Sequence, residues 1–124
     1  MSAPADAAFT LPAAAYTSEE IYKAEQEKIF RKSWLPVGRV EQVPEVGSFI
    51  AADLLDQPVI VVRDTQQHIR ILSNVCLHRA AMLVEGQGKQ LKFTCPYHAW
   101  SYDTQGQLIA APMMEAVKDF KIQD

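Results

Sequence analysis

Residues 76–78 read Cys76-Leu77-His78, and after sixteen further residues positions 95–98 read Cys95-Pro96-Tyr97-His98. Each run delivers one sulfur and one imidazole, and each is short enough to sit on the tip of a single loop. Two thiolates and two imidazoles suit either a tetrahedral zinc ion or an iron-sulfur cluster, and the donor set alone does not choose between them. The pairing is more informative. Zinc modules usually place like with like, two cysteines on one arm and two histidines on the other, because one hairpin grips one ion. Here both arms are mixed. In a cluster whose two irons carry different ligands, Cys76 and Cys95 can share one iron while His78 and His98 share the other. A Cys76–Cys95 disulfide is the plain alternative and fits a secreted chain, but a histidine closely following each cysteine points to metal.

The flanks extend the pattern. Asn74-Val75-Cys76-Leu77-His78-Arg79 and Cys95-Pro96-Tyr97-His98-Ala99-Trp100 resemble the two motifs of the Rieske non-haem iron oxygenases, the ring-hydroxylating type. That family usually reads Asn-x-Cys-x-His-Arg-Gly and Cys-Pro-Tyr-His-Gly-Trp. Respiratory-type Rieske proteins carry one more cysteine in each loop, joined as a disulfide; Ala81 and Tyr97 stand at those positions here. The two family glycines are Ala80 and Ala99 in this chain, which leaves the donors untouched but removes the residue best suited to positive φ. The resemblance implies a Rieske 2Fe-2S cluster with Cys76, His78, Cys95 and His98 as its ligands. It also implies a mainly β fold: an antiparallel sandwich with two cluster-binding loops, preceded by one N-terminal α-helix.

Composition sets bounds around this core. At 124 residues and 48% hydrophobic content the chain suits one compact domain. A formal charge of -3 and a pI near 5.6 give no basic footprint for nucleic acid or an anionic membrane. Nothing approaches the length of a membrane span. The alanine-rich opening lacks the charged and apolar regions of a signal peptide, so residues 1–16 are expected to be a flexible arm and the location cytoplasmic.

Thr17-Ser18-Glu19-Glu20 reads as a capping box with Thr17 as the N-cap and Tyr16 and Ile21 at the staple positions, which predicts a helix over 17–33. From Trp34 the signal turns to short β runs: 34–40, 48–52, 59–63, 69–72, 91–94, 100–102 and 107–110. Asp64-Thr65-Gln66-Gln67 and Asp103-Thr104-Gln105-Gly106 are expected turns. Residues 84–88 are expected to be a flexible return between the two ligand loops. This partitions the chain into the arm, the helix, a Rieske domain over 34–112, and a tail over 113–124 that leads toward a catalytic domain.

Around the cluster, His78 and His98 are expected to be exposed and Cys76 and Cys95 buried, with Trp100 and Tyr97 as shielding aromatics. His68 reads as a solvated side chain. In the family, dioxygen is activated at a mononuclear iron held by two histidines and a carboxylate. This chain has three histidines in all, and the cluster takes two, so the chain alone lacks that second iron site. By the resemblance its function is electron transfer. An NAD(P)H-dependent reductase or ferredoxin is the donor, and the acceptor is a mononuclear Fe(II) in a catalytic domain of the same or a neighbouring subunit. The alternatives are a stand-alone Rieske ferredoxin and, from another class, a structural zinc-binding interaction module.

Overall fold

Val59-Ile60-Val61-Val62 is an unbroken β-branched run, and such runs form strands covered on both faces. It lies at the heart of β2 (Gln57–Arg63), with Ile60 and Val62 fully buried. The structure is a computed structural model that describes residues 9–114 and 116–122; the first half of the expected N-terminal arm therefore lies outside the described residues. Strand β2 pairs antiparallel with β1 (Ser48–Leu54) and β3 (Ile69–Ser73). A short β4 (Gln87–Lys89) adds to the far side of β1, giving the order β3-β2-β1-β4. The second sheet is β5 (Lys92–Thr94), β6 (Ser101–Asp103) and β7 (Leu108–Ala110), in sequence order and also antiparallel.

The two sheets face each other across a core containing Phe49, Ile60 and Val62 from the first sheet and Phe93 and Tyr102 from the second. Phe49 meets Phe93 edge to face, with ring centroids 5.5 Å apart. Burying each of these large apolar side chains contributes roughly 1.5–3 kcal/mol. The expected antiparallel sandwich is thus present, and both ligand motifs fall in its connections.

The two aspartate turns share one design. Asp64 Oδ1 accepts the N–H groups of Gln66 and His68, each at 2.8 Å. Asp103 Oδ1 accepts those of Gln105 and Gln107 at 2.8 and 2.9 Å. Each hairpin needs one left-handed residue, supplied by Gly106 (φ +88°) in one and by Gln67 (φ +69°) in the other. Asp64 is fully buried and also accepts from Arg70 Nε at 2.8 Å.

Two expectations fail for identifiable reasons. Residues 34–40 form no strand: Pro36 lacks an N–H, and Arg39 N–H is taken by the Gln42 side chain at 2.7 Å, which closes a 3-10 turn over Val40–Gln42. Residues 38–43 lie against the first sheet instead. A Cβ on Gly38 would lie 3.0 Å from Ile50 Cδ1, and Arg63 Nε donates to the Val43 carbonyl at 2.7 Å. The expected flexible return is in part strand β4, because Gly88 lets the backbone approach the Phe49 ring. An added Cβ there would stand 2.9 Å from the ring.

The chain divides into the units Met1–Leu35 and Pro36–Asp124. The first holds a single helical turn α1 (Ala14–Thr17), the expected helix as α2 (Glu19–Lys28), and a 3-10 turn over Phe30–Lys32. The N-cap is Ser18, whose hydroxyl accepts from Ile21 N–H at 3.4 Å. Thr17 is the last residue of α1 and donates its hydroxyl to the Ala13 carbonyl, while Ser18 has the extended backbone that an N-cap takes (φ -85°, ψ 120°). No helix among the described residues is long and apolar enough to cross a membrane.

Candidate metal centre

The two ligand motifs occupy loops with the same backbone frame. In the first, Cys76 N–H donates to Ala81 O at 2.8 Å and Ala80 N–H donates to Cys76 O at 2.9 Å. In the second, Cys95 N–H donates to Trp100 O at 2.8 Å and Ala99 N–H donates to Cys95 O at 3.0 Å. Both loops close through a left-handed residue, Ala80 at φ +54° and Ala99 at φ +58°. The alanines that replace the expected glycines therefore keep the glycine conformation. The first loop follows β3 and the second joins β5 to β6, so each sheet contributes one sulfur and one imidazole.

The four expected residues fall into two pairs. Cys76 and Cys95 are free thiols, buried at 1% and 2% exposure. Both belong to the same buried cluster. The His78 and His98 rings lie 4.6 Å apart at 69°. Sulfur is thus grouped with sulfur and imidazole with imidazole, although each loop carries one of each. The histidines are half-buried rather than exposed as expected, because Trp100 stacks on His78 at 4.8 Å and 9°, and Tyr97 lies over His98 at 3.9 Å.

The Nδ1 atoms of both imidazoles are buried and have no hydrogen-bond partner among the described residues. An unpaired buried nitrogen costs about 1–3 kcal/mol, and a metal bond at that atom removes the cost. A pair of buried sulfurs and a pair of imidazoles with buried nitrogens suit a two-iron group with unlike ends.

The surroundings favour thiolate. Burial pushes the Cys76 thiol up, but hydrogen bonds from the Tyr102 hydroxyl, the N–H groups of His78 and Arg79, and Cys95 carry it below its ordinary value. Tyr102 receives the Leu77 N–H at 3.0 Å, which leaves its own proton for the Cys76 sulfur at 3.4 Å. Burial and that sulfur push its pKa up to about 12. Burial, then repulsion from His98 and Arg79, lowers the pKa of His78. His68 stands apart from the centre, exposed and 3.8 Å from Asp64. Sequence reasoning missed Tyr102 as a site residue; its position in β6 pointed inward, but its sulfur partner lies 26 residues away. It also missed the contact between Trp100 and Phe120, whose rings are 5.7 Å apart.

The description of the Rieske 2Fe-2S domain family matches residues 33–121. The chain is 42% identical over 101 residues to the biphenyl 2,3-dioxygenase subunit alpha of Rhodococcus jostii (strain RHA1), covering 81% of this chain and 22% of that subunit. It is 33% identical over 121 residues to the chloroplastic choline monooxygenase of Arabidopsis thaliana, covering 98% of this chain and 29% of that protein. The crystal structure of the quaternary ammonium Rieske monooxygenase CntA superposes with a TM-score of 0.84 at 32% identity, over 92% of this chain and 32% of that one. The chain spans about a quarter of the length of these curated relatives. It belongs to the Rieske 2Fe-2S domain family, on the branch of the oxygenase α subunits, where such a domain implies a 2Fe-2S cluster and a role in electron transfer.

Proposed function

We propose that Cys76 and Cys95 hold one iron of the cluster and that His78 and His98 hold the other through Nδ1. The observation that carries this is the pair of buried imidazole Nδ1 atoms without partners among the described residues, together with two free buried thiols. When bound, a Rieske cluster accepts and releases one electron at a time. The chain's own residues prepare the site: Tyr102 and the loop N–H groups stabilise the Cys76 thiolate, while Trp100 and Tyr97 cover the imidazoles.

The domain, residues 34–112, serves an oxygenase-type α subunit. It receives electrons from an NAD(P)H-dependent reductase or ferredoxin in the cytoplasm. It delivers them to a mononuclear non-haem iron in a catalytic domain, of the same or a neighbouring subunit, toward which the 113–124 tail leads. The matched stretch is shared by relatives named for biphenyl and for choline. That supports a common electron-delivery step in this stretch, with substrate choice elsewhere.

Anaerobic reconstitution with ferrous iron and sulfide tests the ligand set. The expected product is brown, with two irons and two acid-labile sulfides per chain. His98→Ala or Cys95→Ser is expected to abolish the visible bands. A colourless chain that binds one zinc would instead establish the zinc-module alternative.

A further inference from the structure

A histidine ring is free to rotate about a broad, roughly two-fold terminal torsion, so backbone position alone does not aim its Nδ1. The stacked Trp100 ring, 9° from the plane of His78, fixes the plane in which the His78 ring, and with it Nδ1, lies. Trp100 is itself 93% buried, since only 7% is exposed, yet its Nε1–H has no hydrogen-bond partner among the described residues. The indole is therefore held by packing and not by a polar anchor. Phe120 packs on it at 5.7 Å and 52°.

Phe120 belongs to the tail, which folds as three successive turns: Met114 N–H to Ala111 O, Val117 N–H to Met114 O, and Phe120 N–H to Val117 O. Phe120 and Ile122 form the wall shared by two open cavities. One, of about 390 Å³, is bounded by Ile109 and Met114. The other, of about 510 Å³, is bounded by Leu77 and Trp100. Phe120 is half-buried and packs against the edge of the sandwich core, with open space on both sides of the wall.

We infer that Phe120 and Trp100 are positioning residues that form a packed relay, through which the tail sets the orientation of the His78 imidazole. The inference rests on the reading of His78 as a cluster ligand. Neither ring touches the reacting atoms; Phe120 acts only through Trp100, and Trp100 only through His78. A displacement of the tail is thereby transmitted to one end of the cluster.

The test uses the full chain reconstituted with iron and sulfide, and reads the EPR g-values of the reduced cluster and its midpoint potential. Phe120→Ala is expected to shift both at full cluster occupancy, and Phe120→Tyr, which keeps the ring, to restore the parent values. In a Trp100→Leu background, Phe120→Ala is expected to produce no further shift, because contacting residues in series are non-additive. Should Trp100→Leu fail to hold the cluster, Trp100→Phe gives the same comparison, since the smaller ring loses its reach to Phe120. An unshifted Phe120→Ala, or a shift of equal size in both backgrounds, overturns the relay. Failure of the ligand reading is told apart because it shows without any relay variant: His78→Ala would then keep full visible absorbance.

Discussion

The Tyr102 hydroxyl accepts the Leu77 N–H and shares a hydrogen bond with the Cys76 sulfur, in which a thiolate can only accept. A hydrogen bond to a ligating sulfur stabilises the more negative, reduced state. Tyr102→Phe is therefore expected to lower the midpoint potential and to cost about 1 kcal/mol of stability; film voltammetry and urea titration measure the two effects, and an unchanged potential would refute the assignment. Ala80 and Ala99 make a different point. An L-residue at positive φ is strained relative to glycine, so Ala80→Gly and Ala99→Gly should each raise the unfolding free energy by about 1 kcal/mol or less, read as a higher urea midpoint. A lowered midpoint in both would mean that the strain inferred from φ is absent. Sequence alone could not show that these positions are left-handed, because alanine masks the signal that glycine would have given. The four candidate donors stand out in the sequence for the opposite reason: few environments place a cysteine and a histidine so close together, twice.

At the scale of elements, the two aspartate turns are a matched experiment. Gln67 and Gly106 occupy the same left-handed place, so Gln67→Gly should stabilise its hairpin. Gly106→Ala should destabilise the other, both through φ and because its Cβ would stand 3.1 Å from Leu72; thermal melts of the two variants check the opposite signs. Asp64 adds a pH dependence. Burial raises its pKa, but the hydrogen bonds from Arg70 and from the backbone of His68 and Gln66 prevail and hold it below the ordinary 3.8. Its contribution to stability is thus fully present above pH 3.8 and is lost as the pH falls through the lower folded value. Melting temperature followed down to pH 2 should show that loss, and Asp64→Asn should flatten it. Six of the β runs were readable from β-branched content and flanking turns. The seventh, 34–40, was outvoted by Pro36, and β4 was unreadable because its three residues have no strand character of their own; it is a strand only because β1 offers it an edge.

For the whole molecule, the sandwich was legible from the spacing of the short strands and the position of the two motifs. What was not legible is whatever depends on two distant stretches meeting: Tyr102 on Cys76, Phe120 on Trp100, and residues 38–43 against the first sheet. Removing iron should weaken the whole structure, because it leaves two buried Nδ1 atoms unpaired at about 1–3 kcal/mol each; a melting temperature unaffected by chelation under reducing conditions would contradict this. Each sheet carries half of the ligand set, and this ties two processes usually measured separately. With the ligands as proposed, the sheets cannot part without tearing the cluster. Bleaching of the brown colour then becomes a clock for global opening: in denaturant, the loss of visible absorbance and of β-sheet circular dichroism should share one midpoint.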